Sequence, residues 1–509
     1  MKLNKLLMAG ITATLVLGSA YADDFDFGGF GDETSSSPVE VSGAVSTTAR
    51  AYISGDDAVE DLPMAGDVDA DLSVKYSGSQ ADAEIKLNLN KTTLFENQKA
   101  IIDEAYITTY VGNMKLEAGQ MKTVWGKGDK LHVIDNFNAD DYSDFIIPDY
   151  IDRRIATPMV KVSYAFDYSD NVLSNMKIEG IYTPFLPTDN FATSGRWTPG
   201  QVQALTGAVT EKATTKLAAV ISNLETARLG FAKAGAPGTV AYNTAYAKLQ
   251  AANQAYIFAL NNASALESDS SIIYPDTNTL KYGQAGARLT ASLGTVDLGL
   301  SYYYGHYKQP SVNALKVAPA LNNYLVTGKI AEEDKFLAYD QKQTFGIEAA
   351  TILWHFNVRG EACYNLTDDI DGKDPFVHNN SIQWLGGFDI DLPIANMNVN
   401  VQETGTYVLN NDEIMAAYDV DYNTNGYSNN KIVTNITTSF ANEKVLPEVT
   451  VMYGIENGDV VVMPKLVVKP TGEVSLTLSG MYLWCKDNNS EFAGWDKNNF
   501  VQIGASLSF

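Results

Sequence analysis

The chain has 509 residues, with 36 basic and 61 acidic side chains, a formal net charge of −25 at pH 7 and a mean hydropathy of −0.13. Nucleic acid and anionic lipid headgroups would need basic patches, so this charge balance argues against both as partners. The mean hydropathy is too polar for a bundle of membrane helices, whereas a barrel with a water-filled interior averages to such a value.

The first 22 residues have the pattern of a secretory signal peptide. Lys2 and Lys5 precede an apolar run, and the small residues Ala20 and Ala22 stand at the expected cleavage positions before Asp23. No Cys follows this site, which argues against a lipid anchor, and no later stretch reaches the roughly 18 apolar residues of a transmembrane helix. We therefore expect an exported protein.

Residues 23–38 form the second predicted region. They are acidic and rich in Gly and Ser. Such a composition buries too little apolar surface to fold independently. We predict a flexible periplasmic leader, followed by a barrel over residues 39–509.

From residue 39 onward, apolar and polar residues alternate in segments of about ten residues, the length of a tilted strand that crosses a bilayer. In the first segment Val41, Val45 and Ala49 share one face, and Ser46 and Arg50 share the other. A missed hairpin would lower the strand count to sixteen. The pattern predicts an all-β fold, a transmembrane antiparallel barrel of about eighteen strands, at residues 39–54, 66–78, 80–91, 101–111, 114–125, 156–166, 175–185, 282–293, 295–307, 341–354, 355–366, 380–392, 396–408, 431–440, 447–455, 459–470, 473–484 and 499–509.

The connections and the strand faces support a membrane barrel. Turns such as those at residues 78–79, 112–113 and 294–295 are tight, and the connections between them are mostly long, which is typical of outer-membrane barrels. Asp67, Asp69 and Asp71 share one strand face. A packed protein core would not hold these charges, whereas a watery lumen would.

The loop from Gly126 to Arg154 carries most of the candidate functional residues. It is the third predicted loop on the long-loop side, and in general porins the third outer loop folds into the barrel and forms its constriction. This resemblance implies a constriction whose carboxylates face basic residues on the wall; the alternative is a solvated cap on the outer surface. The candidate constriction residues are Asp129, Asp135, Asp140, Asp141, Asp144, Asp149, Asp152, Arg153 and Arg154, and the candidate wall residues, by strand parity, are Arg50, Arg288 and Arg359.

A second resemblance overlaps the start of this loop. Trp125 and Gly126 are followed by Asp129 and then by Asn138, within about twenty residues that begin at Gly119. The segment resembles the Trp-Gly-x-x-Asp signature of a large family of uncharacterised Gram-negative outer-membrane barrel proteins, although Ala139 stands where that family has Pro. The resemblance implies a channel-like barrel and names no substrate.

Residues 198–267 break the strand pattern. Apolar residues recur at spacings of three and four, as in Leu205 and Val209, on both sides of a Gly/Pro-containing break at residues 234–238. Thr198 and Pro199 provide a helix start, and arms of about 33 residues would reach ~50 Å. We predict an extracellular helical hairpin, which is either a loop decoration without a partner, a receptor-facing projection or a partial lid.

Two further features of the sequence are candidates for metal binding and for a disulfide. Asp421, Asn423 and Asn425 match the first half of a calcium loop, but Ile432 occupies the position of the required Glu, which favours an Asn-rich turn. No cofactor is therefore expected. Cys363 and Cys485 would travel an oxidising route, and whether they pair is left open.

An enzyme is not favoured. His306 ends an upward strand, where outer-membrane hydrolases place a His, but no nucleophile motif accompanies it. The same His fits an aromatic girdle equally well. We therefore predict a protein without catalytic residues.

The last strand alternates up to the end of the chain. Val501, Ile503, Leu507 and Phe509 lie on its apolar face. In hydrocarbon every backbone group must be paired, so this strand has to bond to the first one. The ending resembles the terminal assembly signal of Gram-negative outer-membrane barrels, which implies recognition by the barrel-assembly machinery and a position in outer-membrane lipid.

These features predict an outer-membrane porin-like channel for passive diffusion of small hydrophilic solutes or ions, with a weak preference for cations. The first alternative is a surface adhesin whose barrel anchors the hairpin. The second is a substrate-selective uptake protein, which would need a more apolar lumen than the strands over 66–91 provide. The sequence leaves the solute, the oligomeric state and the species open.

Overall fold

The computed structural model describes residues 38–53, 62–95, 97–129, 131–144, 150–170 and 172–509. The predicted signal peptide and leader lie outside the described residues, apart from residue 38. Val41–Phe509 is one compact unit, and of the separate unit Met1–Glu40 residues 38–40 are described. No described helix is long and apolar enough to span a membrane.

Eighteen antiparallel strands of the described residues form one closed sheet, and each lies at a position predicted from the alternation. The predicted fold class is therefore confirmed. Strand ends differ by a few residues, most of all at β5, which ends before the predicted residue 125. The strands are β1 (Val39–Tyr52), β2 (Met64–Ser77), β3 (Ala81–Leu89), β4 (Ile102–Val111), β5 (Met114–Met121), β6 (Thr157–Ala165), β7 (Leu173–Thr183), β8 (Gln284–Leu293), β9 (Val296–His306), β10 (Gln341–Leu353), β11 (Phe356–Thr367), β12 (Ser381–Leu392), β13 (Met397–Val408), β14 (Ser428–Thr437), β15 (Val445–Gly454), β16 (Val460–Val468), β17 (Val474–Trp484) and β18 (Phe500–Ser508).

The barrel closes between its first and last strands. β1 and β18 pair over nine residue pairs, from Ala44 opposite Ser508 to Tyr52 opposite Phe500. Closure leaves neither strand with an unpaired edge, which is the condition for crossing hydrocarbon.

The two faces of the sheet differ in chemistry. On β11, Arg359, Glu361 and Cys363 point inward, and Val358 and Tyr364 point outward. Because side chains alternate along every strand, this parity extends around the barrel through the strand pairings. The outward apolar side chains form the band that suits lipid contact.

The connections divide the barrel into a short-turn rim and a long-loop rim. Turns such as those at Gly112 (φ +59°) and Gly294 (φ +61°) use the left-handed backbone region that glycine adopts without strain. The long-loop rim carries the segments 122–156, 184–283 and 307–340. Both the order and the alternation of short and long connections agree with the sequence prediction.

The described part of the chain has five α-helices, all in the long connections. The described chain also has 3-10 turns at Gln98–Ile101, Ser270–Ile272, Leu280–Tyr282, Glu332–Asp334, Asn411–Glu413 and Ala493–Trp495, and short strands at Ala139–Tyr142, Arg154–Ile155, Asn190–Phe191, Ser311–Val312 and Leu337–Ala338. The helices are α1 (Lys91–Phe95), α2 (Tyr150–Arg153), α3 (Gly200–Ala232), α4 (Val240–Ser268) and α5 (Ala314–Thr327).

Helices α3 and α4 occupy the stretch in which the sequence predicts a helical hairpin. The expected cap at Thr198 is wrong: Pro199 is the N-cap residue, and the Thr198 hydroxyl donates to the Gly195 carbonyl at 3.1 Å. Thr239 caps α4 by accepting a hydrogen bond from the Tyr242 amide at 3.2 Å.

The sequence analysis missed α5, which supports the base of the hairpin. Leu321 and Phe336 are buried against residues of α3 and α4, and the Asn262 amide donates to the Tyr324 carbonyl at 3.1 Å. Pro319 lies inside α5, which disguises the helical pattern. The signals that would reveal it are the Asn cap before Ala314 and Gly328 at its end.

Candidate functional site

The segment between β5 and β6, residues 122–156, lies against the inward faces of the barrel strands. We call it the inner loop; its residues 130 and 145–149 are outside the described part. Its hydrogen bonds and ion pairs reach inward side chains of β1, β7, β9, β10, β11 and β13. A loop that only capped the rim would not reach so many strands.

Trp125 anchors the start of the inner loop inside the barrel. Its indole N–H donates to Glu179 Oε1 at 2.7 Å, and its ring meets Phe137 edge to face at a centroid distance of 5.0 Å. Phe137 in turn packs against Tyr303 of β9, at 5.2 Å. A Cβ on Gly286 would lie 2.8 Å from the Phe137 ring, so this wall position has to remain small. The apolar cluster therefore fixes the loop against one side of the barrel.

Glu361 on β11 holds the next turn of the loop. Its Oε1 accepts the amides of Lys127 and Gly128, each at 2.7 Å, and its Oε2 accepts the amide of Val133 at 2.9 Å. His132 Nδ1 lies 3.0 Å from Oε1, and the Glu361 side chain has no solvent exposure. One buried carboxylate thus satisfies several backbone donors of the loop, an arrangement that is costly to disrupt.

The tip of the loop approaches the short-turn rim. Asp129 pairs with Arg359, and its second oxygen accepts from the Asn400 amide at 2.5 Å. Arg359 also pairs with Asp389 of β12. Arg359 and Asn400 are each a few residues from the short-turn ends of β11 and β13. The tip is therefore held deep in the barrel by charge and by hydrogen bonds.

The returning arm of the loop is held by a buried ion pair. Asp135 and Arg154 meet at 2.8 Å, with side-chain exposures of 0% and 2%. Asn138 bridges the arm to both neighbouring strands, since its Nδ2 donates to the Met121 carbonyl of β5 at 3.0 Å and to the Thr157 hydroxyl of β6 at 3.3 Å. Breaking a buried pair by removing one partner typically costs about 3–5 kcal/mol, so the arm is rigidly placed.

Arg50 on β1 contacts the far side of the loop. Its guanidinium forms a bidentate pair with Asp144, at 2.8 and 3.2 Å, and donates to Gln502 of β18 at 2.9 Å. The guanidinium also lies 4.6 Å from the Phe500 ring centroid. The loop therefore crosses to the seam at which the barrel closes.

Of the predicted wall residues, Arg50 and Arg359 contact the loop, whereas Arg288 contacts none of its described residues. Arg288 pairs with Glu348 of β10 at 2.5 Å, which assigns it to the wall itself. All three arginines face inward, as strand parity predicts. Their contacts with the inner loop differ because they lie at different positions around the barrel.

The predicted loop residues also separate into groups. Asp129, Asp135 and Asp144 have arginine partners, and Arg154 is the partner of Asp135. Asp140 and Asp141 instead bind residues of the segment 184–283. The Asp140 backbone amide donates to the Asp189 carboxylate at 3.0 Å, and the Asp141 carboxylate accepts from the Asn190 side-chain amide at 3.0 Å. Arg153 lies over the Tyr142 ring at 5.2 Å, Asp152 is exposed, and Asp149 is outside the described residues.

The contacts explain the Trp-Gly-x-x-Asp segment residue by residue. Trp125 binds Glu179, and Asp129 binds Arg359. Gly126 has φ +120°, and a Cβ there would lie 2.6 Å from His132 Nδ1, so no other residue fits this turn without displacement. The sequence analysis found the loop side of these contacts and Arg359 on the wall, and it missed the wall carboxylates Glu179 and Glu361. Strand parity was the available signal, because it places Glu361 on the same face as Arg359.

An acidic row on β2 forms a second feature of the interior. Asp67 and Asp71 are exposed and Asp69 is half-buried, and within the described part of the chain none of the three forms an ion pair. Asp71 lies in the electrostatic field of Asp152 and Asp103. These carboxylates are therefore among the interior charges without an ion pair to a described residue, and Lys122 is the one cation whose field reaches Asp71.

The remaining candidate motifs serve local structure. Asp421 accepts the Asn379 amide at 2.6 Å, and Asn423 accepts the amide of Asn425 at 2.8 Å, as in an Asn-rich turn. The described residues contain no cluster suited to a metal ion. Cys363 and Cys485 are both free thiols.

His306 and His378 lie at the long-loop rim. The His306 ring contacts Tyr282 at a centroid distance of 4.9 Å, and both residues are buried. His378 Nδ1 lies 2.6 Å from Asp340, which also accepts from Ser311 at 2.8 Å. Asp340 stands between Ser311 and His378, whereas an activated nucleophile needs direct contact with its base.

The His378–Asp340 pair is expected to make the rim pH-dependent. Burial by itself lowers the pKa of His378, but the hydrogen bond and the charge of Asp340 outweigh it, and Asp421 adds to them, so the pKa is raised above its ordinary value. Lys342 opposes this shift, and the Tyr307 ring stacks on the imidazole at 4.4 Å. The pair links the segments 307–340 and 368–380.

A group whose pKa is higher in the folded state than in the unfolded state stabilises the folded state fully at pH values below its unfolded pKa. This stabilisation is lost as the pH rises through the folded-state pKa. We therefore expect faster amide exchange over residues 368–380 at about pH 9 than at about pH 6, relative to intrinsic rates. His378→Gln should remove this difference, and His355→Gln at the short-turn rim should preserve it. Equal protection in the wild type at both pH values would contradict the expectation.

A comparison with known proteins found solved structures that align with this chain over most of their length and of its own. No family model matches the chain, and no curated protein matches it. The outer-membrane channel DcaP of Acinetobacter baumannii is 10% identical, with a TM-score of 0.39 over 92% of this chain and 97% of that one. OccK11 (OpdR) of Pseudomonas aeruginosa is 8% identical, with a TM-score of 0.42 over 92% and 95%. Salmonella typhi OmpF in complex with daunomycin is 6% identical, with a TM-score of 0.37 over 92% and 97%. These similarities are too low to carry an argument about function, which therefore rests on the barrel and the inner loop.

Proposed function

We propose that this protein is an outer-membrane channel for passive diffusion of small hydrophilic solutes and ions, with a weak preference for cations. The observation that carries the proposal is the inner loop, which Glu361, Arg359 and Arg50 tie to the inward faces of a closed barrel. A barrel of about this many strands has an interior wide enough for water. A loop bound across it narrows the passage and places polar groups along it.

The proposed constriction lies between the inner loop and the facing wall. The loop packs mainly against β7 to β13, while the inward side chains of β17, β18 and β1 include small polar ones such as Thr477, Ser506 and Thr48. Arg154 and Arg50 neutralise Asp135 and Asp144, and Arg359 is shared between Asp129 and Asp389. The negative potential therefore comes mainly from Asp140, Asp141, Asp152 and the acidic row on β2.

The proposed surroundings follow from the outward face. Apolar side chains such as Ile503 (60% exposed) and Ile347 (57% exposed) would contact outer-membrane lipid. The alternating residues that end in Phe509 would be read by the barrel-assembly machinery after export. The signal peptide required for this route falls on residues outside the described part.

The proposal is tested by planar bilayer recordings of the purified, refolded protein. We expect stepwise, open conductance, and we expect the same conductance after residues 198–267 are replaced with a short Gly/Ser bridge, because no strand is removed. A barrel that refolds to a heat-modifiable species but never conducts would refute the channel.

A surface interaction protein is the second candidate, because the hairpin exposes apolar side chains. Val240 is 83% exposed and Leu229 is 60% exposed, near the tip of the two helices. Such side chains, if clustered, mark contact sites. The candidate predicts a barrel without conductance, so the same recordings separate it from the channel.

A further inference from the structure

Two lysines lie inside the barrel beside the long-loop rim, and neither forms an ion pair with a described residue. Lys308 follows β9 in the segment 307–340, and Lys342 is the second residue of β10. Both side chains reach the inner loop, Lys342 at Asn136 and Lys308 at Phe137. A cation taken out of water is costly unless it is paired, so these two ammonium groups need an explanation.

The ammonium group of Lys342 has one hydrogen-bond acceptor among the described residues. Its Nζ donates to Asn136 Oδ1 at 2.7 Å. The ring centroids of Tyr307 and Tyr303 lie 4.8 and 5.9 Å from Nζ. Aromatic faces attract a cation but leave its charge in place. Since an ammonium group has three donors, Lys342 keeps donors that no described acceptor uses.

The ammonium group of Lys308 binds two neutral oxygens. Its Nζ donates to the Phe137 carbonyl at 3.2 Å and to Gln284 Oε1. Gln284 Oε1 also accepts from the Tyr303 hydroxyl at 2.5 Å, so this oxygen is shared between two donors. Tyr303 therefore lies between the two lysines, and no carboxylate bonds to either of them within the described chain.

Asn136 adds a further donor beside Lys342. Its Oδ1 accepts from Lys342, while its Nδ2 is buried and has no hydrogen-bond partner among the described residues. The opposite orientation of this amide would direct a donor at the ammonium group, so the contact with Lys342 fixes the assignment. The inner loop and the wall thus bring together donors of hydrogen bonds without a matching acceptor.

The nearby carboxylates do not compensate these cations. Among them Asp189 acts most strongly on Lys308, but it already accepts the Asp140 backbone amide at 3.0 Å and the Gln309 side-chain amide at 3.1 Å. Burial lowers the pKa of Lys308 well below its ordinary value, neighbouring cations including Lys342 lower it further, and Asp189 and Asp140 only oppose this shift. Burial also raises the pKa of Asp189, which weakens it as a counter-charge.

We propose that Lys308, Lys342 and Asn136 form a binding site for a small anion at the long-loop end of the lumen. We call it the lysine site. It rests on the contacts between the inner loop and the wall and does not depend on conductance. The acidic row on β2 lies on another strand, so an anion held here is compatible with a passage that favours cations.

The class of ligand follows from what the site needs. A water molecule could accept hydrogen bonds from these nitrogens, but it would bring no negative charge to two enclosed ammonium groups. An anion supplies the acceptors and the charge together, and hydrogen bonds from an ammonium group to an anion are the stronger kind. Chloride, phosphate and a solute carboxylate share this chemistry.

Titration calorimetry of the refolded protein in detergent tests the lysine site. With inorganic phosphate in a zwitterionic buffer of low ionic strength, we expect saturable binding of about one ion per chain. The double variant Lys308→Gln, Lys342→Gln should bind at least tenfold more weakly, as for the loss of hydrogen bonds from charged groups. Lys281→Gln is the matched control, because Lys281 is an exposed lysine near the same rim, and this variant should bind as the wild type does.

The outcomes of this titration separate the alternatives. A parallel titration with sodium chloride identifies the ion: saturation by either salt supports the site, and the tighter one assigns a halide or an oxyanion. Saturation by neither salt would overturn the proposal. Equal binding by the double variant would also overturn it, because it would indicate an adventitious ion only. A protein that binds phosphate here but never conducts would count against the channel and leave the lysine site standing.

A second variant tests the missing charge without removing a lysine. Asn136→Asp has nearly the same shape and places a carboxylate beside Lys342, where the structure has an amide oxygen at 2.7 Å. We expect its unfolding temperature without added anion to rise above that of the wild type, and the further stabilisation by phosphate to disappear. Asn136→Leu, which removes the amide and adds no charge, should gain no stability. A less stable Asn136→Asp protein that still binds phosphate as the wild type does would contradict the proposal.

Discussion

Glu361→Ala is expected to increase the single-channel conductance and the open-channel current noise. The substitution removes the acceptor of the Lys127, Gly128 and Val133 amides and the partner of His132. Each hydrogen bond to a charged group contributes about 1.5–3 kcal/mol, so the turn that follows Trp125 loses most of what holds it to β11. A loop that leaves the wall widens or intermittently blocks the passage.

Glu348→Ala is the matched control for this prediction. Glu348 lies directly opposite Glu361 on the adjacent strand and is as deeply buried, but it pairs with Arg288 of the wall. The Glu348→Ala variant therefore removes one negative charge beside Glu361 on the barrel wall without releasing the inner loop. A conductance change of equal size in both variants would mean that charge, and not loop attachment, controls the current.

The triple variant Asp67→Asn, Asp69→Asn and Asp71→Asn is expected to abolish most of the cation preference. These carboxylates project from β2 without ion pairs to described residues, so their potential reaches the solution. Screening shortens from ~30 Å at 0.01 M salt to ~3 Å at 1 M, so the preference of the wild type should fade as salt increases. Reversal potentials under a salt gradient measure both effects.

A second triple variant, Asp140→Asn, Asp141→Asn and Asp144→Asn, tests the inner loop separately. We expect it to lower the cation preference less than the β2 variant, because Arg50 compensates Asp144 and Asp141 accepts from Asn190. Asparagine is similar in shape, and all six residues lie outside the outward face, so assembly should be unchanged. A larger effect from the loop variant would place the selective charges on the loop instead of on β2.

The sequence alone determined the strands and their faces. Alternation with a period of two is a local property, so Arg50, Arg359 and Asp71 could be assigned to the interior without knowledge of the fold. The helical hairpin was found for the same reason, from a period of three and four. In contrast, α5 was missed because Pro319 interrupts its helical pattern.

The tertiary structure decided which groups meet. Glu361 binds amides more than 200 residues away in the chain, and Arg359, but not Arg288, meets the inner loop. Parity specifies inward or outward; it specifies neither the position around the barrel nor the depth at which a loop crosses it. The inward place of Lys342 was in principle readable from parity, but its contact with Asn136 depends on the path of the inner loop, which only the tertiary structure supplies.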